Sequence, residues 1–206
     1  MTTIPVREQS GATVHDAQQV LRVSDLTVTL DDQEVLSSLS FNVQQGDVLT
    51  ILGPNGAGKT VLLRTLLGTL PHQGVIEWKK GMRIGYVPQR LPYIRDIPLS
   101  VAEFFALKKN AVSDVGEMLQ AVGLAPELGE KRIGDFSSGQ FQRILIAWAL
   151  ASNPDVLLFD EPTTGIDIGG EETVYGLLSR LQRERNLTML IVTHDLAVVQ
   201  IGRAHV

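Results

Sequence analysis

The sequence predicts an α/β fold built on a buried parallel sheet, and three stretches carry that prediction. DVLTIL (residues 47–52), DVLLFDEP (155–162) and LTMLIVTHD (187–195) are strand-length apolar runs that stop in glycine-rich or polar text. Unbroken apolar runs suit strands buried on both faces, as parallel strands are. In open α/β sheets ligands sit at the carboxyl ends of the strands, so functional residues are expected where each run stops.

The first run enters GPNGAGKT at 53–60, and VLLRTLLGTL follows with helical spacing. This is G-x-x-x-x-G-K-T between a strand and a helix, the context a phosphate-binding loop requires. Glycines at 53, 56 and 58 let the backbone curl so that consecutive N–H groups converge on phosphate oxygens. The helix that follows adds the positive end of its dipole. Lys59 is expected to reach β- and γ-phosphates and the Thr60 hydroxyl to ligate Mg²⁺, so a nucleoside triphosphate is the expected ligand.

The second run ends in Asp160 and Glu161. Asp160 is expected to hold Mg²⁺ through its water shell, and Glu161 to orient and polarise an attacking water. At the tip of the third run, His194 is placed to hydrogen-bond the γ-phosphate and that water. No N-K-x-D stretch is found, which disfavours guanine reading.

The 206 residues suffice for one sizeable domain with an attached lobe, and 44% hydrophobic with 20% charged content is ordinary for a globular protein. A formal net charge of −5 with a pI near 5.4 argues against nucleic acid as a partner, because that footprint is basic and clustered. The apolar runs fall short of the roughly 20 residues a membrane helix needs. The absence of cysteine excludes disulfides and thiolate metal sites. MTTIPVREQSGATVHD has neither a basic start nor an apolar stretch, so no signal peptide is read and a cytoplasmic location is expected. Residues 1–20 are polar and aperiodic, and a flexible extension is expected there. LRVSDLTVTL, EVLSSLSFNV and DVLTIL, separated by DDQ and QQG, predict two or three short strands over 21–50. Further on, IPLSVAEFFALKK offers a capping box from Ser100 to Glu103, with Val101, Phe104 and Phe105 at helical spacing. VGEMLQAVGL and QFQRILIAWAL read as helices as well.

GPNGAGKT, FSSGQ at 136–140, DEP and THD, in that order, resemble the ATP-binding cassette (ABC) transporter ATPases over roughly residues 20–200. The resemblance implies a P-loop NTPase fold: a RecA-like core with an antiparallel β subdomain and a helical subdomain at about 90–150. It implies ATP and Mg²⁺ as cofactors, and ATP hydrolysis coupled to transport across a membrane. Nucleotide contacts fall on Gly53, Pro54, Asn55, Gly56, Ala57, Gly58, Lys59, Thr60, Val61 and Gln89. Mg²⁺ falls to Thr60, Gln89 and Asp160, and catalysis to Glu161, His194 and Lys59. Ser137, Ser138, Gly139 and Gln140 form the signature that acts in trans on the opposite subunit's nucleotide, and Asp167 lies in a loop at the dimer interface. The implied partners are a second copy of the chain, transmembrane permease subunits and an extracytoplasmic substrate-binding protein, with the ATPase peripheral on the inner face of the cell membrane. Within the family, GVIEW, MRIGYVPQRLPYIRDIPLSVAEFF and EPTTGID look most like the zinc and manganese importers. Other cargo, a cassette ATPase outside transport, and a nucleotide-binding scaffold with impaired turnover are the alternatives.

The sequence departs from the family pattern at several positions. Leu30 stands where an aromatic usually stacks on adenine, which gives up about 1 kcal/mol of stacking. FSSGQ replaces LSGGQ, so Ser138 adds a Cβ where the family usually has glycine. At a positive φ that Cβ costs roughly 1–2 kcal/mol, and otherwise little. Phe136 keeps an apolar anchor. Taken alone, FSSGQ also reads as a serine cap on an ordinary helix. Finally, IGRAHV at 201–206 does not continue HDLAVVQ and matches the translation of a sequencing-adapter run. A non-native tail on a longer natural chain is expected there.

Overall fold

The computed structural model describes residues 18–89, 97–108, 114–162, 168–195 and 203–205. Most of the expected extension (residues 1–17), Asp167 and residues 196–200 lie outside them. The described residues form two sheets and a set of helices.

Strands β1 (Gln19–Leu30) and β2 (Gln33–Gln44) pair antiparallel. Asp31 and Asp32, both at positive φ, make the turn between them, as aspartate tolerates. Strand β4 (Gln73–Trp78) pairs with the other edge of β1, giving the order β2-β1-β4. This sheet is the antiparallel β subdomain.

The core sheet is parallel. It contains β3 (Val48–Leu52), β5 (Ile84–Val87), β6 (Val156–Asp160), β7 (Thr188–Thr193) and β8 (Arg203–His205), in the order β5-β6-β7-β3-β8. Every residue of β6 and β7 is buried, as their continuous apolar runs predict. Alternate residues serve opposite faces. Leu158, Leu190 and Val192 join the cluster beneath helix α1 (Lys59–Leu66), with Leu62 and Leu63. Phe159, Met189 and Ile191 join a second cluster with Ile144 and Leu178.

Between β5 and β6 lie α2 (Val101–Ala106), α3 (Val115–Ala121), two 3₁₀ turns and α4 (Ser138–Leu150). The capping box from Ser100 to Glu103 is formed, and Val101, Phe104 and Phe105 are buried. Helix α5 (Ile168–Arg185) leads into β7. Among the described residues no helix is long and apolar enough to cross a membrane.

Register decides where the site falls. Leu52 pairs with Thr193, Asp160 with Val192, and Val87 with Phe159. The residues after β3, β5, β6 and β7 therefore emerge at one edge of the sheet. That edge holds Gly53, Gln89, Glu161 and His194.

Candidate nucleotide site

The loop after β3 is shaped by its glycines. Gly56 and Gly58 have φ of +84° and +82°, the left-handed region that side chains resist. A Cβ on Gly58 would also come within 3.0 Å of both the Val35 and Leu36 side chains. Gly53 N–H donates to the Thr193 carbonyl at 3.3 Å, which ties the loop to β7. Gly58 precedes α1, whose first turn contains no acidic residue, so the positive end of its dipole is not offset there. Asn55, Gly56, Thr60, Val61 and Gln89 border a concave surface that also includes Val35 and Glu161. Pro54 and Ala57 close the loop through an N–H to carbonyl bond of 3.2 Å.

Lys59 is 7% exposed, yet its ammonium is matched. Nζ donates to the Gly53 and Pro54 carbonyls at 2.8 and 2.9 Å and stands 3.2 Å from Glu161 Oε1. An ammonium has three protons to donate, and each has an acceptor here. The three acceptors draw the charge across the mouth of the loop.

Asp160 is gripped at both oxygens. Thr60 Oγ1 donates to Oδ1 at 3.0 Å, and the Tyr86 hydroxyl donates to Oδ2 at 3.2 Å. Burial raises the Asp160 pKa, and the bonds from Thr60 and Tyr86 oppose that rise. Burial, followed by the facing Asp160, pushes the Tyr86 phenol up to about 12. The Tyr86 hydroxyl thus stays a protonated donor across the neutral range.

Glu161 has φ +47° and sends its N–H to the Val192 carbonyl at 2.9 Å. A non-glycine residue held in the left-handed region is strained, and such positions cluster at functional sites. Here the turn redirects the Glu161 side chain away from Asp160 and into the mouth of the loop. Oε2 accepts from Gln89 Nε2 at 2.9 Å and lies 3.3 Å from His194 Nδ1. His194 is half-exposed. Behind it, Tyr175 on α5 donates its hydroxyl to Asp195 Oδ2 at 2.7 Å, and Asp195 N–H donates to Thr193 Oγ1 at 3.0 Å.

One chain thus brings Lys59, Thr60, Gln89, Asp160, Glu161 and His194 together. Thr60, Asp160 and the Gln89 amide supply hard oxygen atoms, a donor set that fits Mg²⁺ sharing its shell with water and phosphate. Leu30 is part-buried at the end of β1 against the cluster beneath α1, while Val35 borders the loop. Tyr86, Val35 and Tyr175 escape the sequence reading, because an aromatic or a valine in such text reads as core. Among the described residues, no cluster of three or more His, Asp or Glu side chains could hold a metal by itself.

FSSGQ opens α4. Ser137 accepts from Gln140 N–H at 3.2 Å, and Gln140 Oε1 accepts from Ser137 N–H at 3.1 Å, a complete capping box. Ser138 is the first helical residue and has no positive φ, so its Cβ carries no left-handed strain. Phe136 is buried beneath the turn, and Ser137 and Ser138 are exposed. Arg143, one turn on, donates to the Gly123 carbonyl at 3.1 Å and anchors the helix to the end of α3.

The profile of the family described as "ABC transporter" matches residues 36–164. The chain belongs to the ABC transporter family. This cassette is 43% identical over 176 residues to the zinc import ATP-binding protein ZnuC of Cereibacter sphaeroides, an alignment covering 84% of the cassette and 72% of that relative. It is 39% identical over 182 residues to ZnuC of Photorhabdus laumondii, covering 87% and 70%. Among solved structures, cbiO1 of Clostridium perfringens, part of the ABC transporter complex cbiONQ, superposes with a TM-score of 0.74 at 30% identity over 88% of the cassette and 81% of that chain. MJ0796, a bacterial ABC transporter cassette solved as a dimer, gives 0.73 at 27% identity over 88% and 91%. The two sheets and the helices between β5 and β6 fit the ABC ATPase fold these neighbours share.

Proposed function

We propose that this chain is the ATP-binding, ATP-hydrolysing subunit of an ABC transporter that drives zinc import through partner membrane subunits. The observation that carries the reading is the convergence of Lys59, Thr60, Asp160, Glu161, Gln89 and His194 at one edge of the parallel sheet.

Each residue has a role its geometry allows. The loop N–H groups and the start of α1 receive the phosphates. Lys59 leaves the Gly53 and Pro54 carbonyls for β- and γ-phosphate oxygens, which frees Glu161 from its ion pair. Thr60, Asp160 and Gln89 would hold Mg²⁺, which would supply charge neutralisation at the phosphates. Glu161 orients the attacking water and takes up its proton, while His194 holds the γ-phosphate side of that water. A positioned base of this kind contributes about 10²–10⁴ in rate.

The dimeric form of the MJ0796 cassette and the exposed Ser137 and Ser138 support a head-to-tail dimer. In it Ser137, Gly139 and Gln140 face the γ-phosphate bound by the other copy, and Asp167 lies near the interface. Gln89 and the lobe from α2 to α4 pass the closing motion to the permease. The substrate-binding protein and the permease select zinc, and the cassette itself handles no cargo. The ZnuC relatives support zinc over other cargo. A strain deleted for this gene, grown in zinc-chelated medium, tests the reading. Wild-type gene should restore growth and Glu161→Gln should not. Restoration by both, or a growth defect relieved by manganese but not by zinc, would contradict it.

A further inference from the structure

Asp160 is held from two directions by hydroxyls on different elements. Thr60, at the start of α1, donates to Oδ1 at 3.0 Å, and Tyr86, within β5, donates to Oδ2 at 3.2 Å. Strand register accounts for the second contact. Tyr86 pairs with Leu158 in the parallel β5–β6 ladder, and Asp160 lies two residues farther along, on the same face as Leu158. A tyrosine ring laid along that face spans the diagonal from its own strand to the carboxylate. The ring packs against the cluster that includes Leu62, Leu63 and Leu158, which fixes its direction.

The physical consequence concerns the plane of the carboxylate. The terminal torsion of aspartate is broad, so a carboxylate pinned at one oxygen can still swing about that contact. Pinned at both, it has a single orientation. We propose that Tyr86 is a positioning residue for the Mg²⁺ side of the site: its hydroxyl fixes the Asp160 carboxylate so that Oδ1 stays turned toward Thr60. The proposal rests on reading Thr60 and Asp160 as the metal-side residues of an ATP site. Tyr86 acts through Asp160 rather than as a ligand itself. Partners of this outer kind typically change metal affinity by about 10–100-fold when removed, and a single neutral hydroxyl belongs at the low end.

The test is Tyr86→Phe in the full chain, which keeps the ring and deletes one oxygen. A fluorescent ATP analogue is titrated into wild type and variant, once in EDTA and once across a Mg²⁺ series. Affinity in EDTA should agree within about twofold, while the gain in affinity brought by Mg²⁺ should shrink about tenfold in the variant. In steady-state hydrolysis the Mg²⁺ concentration for half-maximal rate should rise by a similar factor, with most of the lost rate regained at saturating Mg²⁺. In an Asp160→Asn background, Tyr86→Phe should change the Mg²⁺ dependence no further. An unchanged Mg²⁺ gain would overturn the proposal, as would an equal loss in EDTA, which would make Tyr86 a packing residue only. Wild-type protein that binds no analogue in either condition would overturn the nucleotide reading and this proposal with it.

Discussion

Lys59 and Glu161 show how single residues are poised in this site. Their side chains are 6% and 8% exposed and stand 3.2 Å apart. Burying two charges costs several kcal/mol per ion unless other groups complete the match. The Gly53 and Pro54 carbonyls do so for Lys59, and Gln89 does so for Glu161. Lys59, Thr60 and Asp160 were legible from the sequence because their motif fixes spacing and context together. Tyr86 was not legible, because its contact depends on strand register and on an aspartate 74 positions away. A different buried cation gives a prediction about pH. Lys108 is half-buried, lies 4.2 Å from the centroid of the Trp148 ring, and burial lowers its pKa to about 8 from 10.5. Between about pH 8 and 10.5 the unfolded chain therefore binds the extra proton and the folded chain does not, so this group makes stability rise with pH across that window. Urea unfolding at several pH values, wild type against Lys108→Met, should show that rise in wild type and its loss in the variant. Parallel curves for the two proteins would contradict it.

Among the elements, α4 settles the question that FSSGQ poses. The sequence leaves open whether Ser138 occupies a left-handed position, because φ is set by how the loop enters the helix. In the structure Ser137 is the cap, at φ −63° and ψ 161°, and Ser138 is the first helical residue. FSSGQ thus forms a capping box at an exposed helix start, with Phe136 buried below as its anchor. Restoring the usual glycine should not relieve strain. Ser138→Gly is expected to lower stability by up to about 1 kcal/mol, the ordinary cost of glycine in a helix. Urea midpoints measure this directly, and a clear gain in stability would show that the serine was strained. The strands were more legible than their pairing. Each apolar run was found where predicted, but a run of buried residues does not say which neighbour it pairs with. The order β5-β6-β7-β3-β8 became known only from the fold.

At the scale of the whole molecule, the parallel sheet does the assembling. Segments far apart in sequence deliver Gly53, Gln89, Glu161 and His194 to one edge because all four strands point the same way and share register. Three of the four motifs that carry the resemblance to ABC ATPases, GPNGAGKT, DEP and THD, fall at that edge, while FSSGQ opens α4. Ser137, Ser138, Gly139, Gln140 and Asp167 were assigned to contact with a second copy only through that resemblance, since a single chain contains only half of each contact. In the proposed mechanism Glu161 is the base for ATP hydrolysis at this edge. The most direct measurement is steady-state ATP turnover by wild type and Glu161→Gln at equal concentration, with nucleotide binding determined on both. Binding should be retained and the turnover rate should be at least about 100-fold lower in the variant. Equal rates in the two proteins would contradict it.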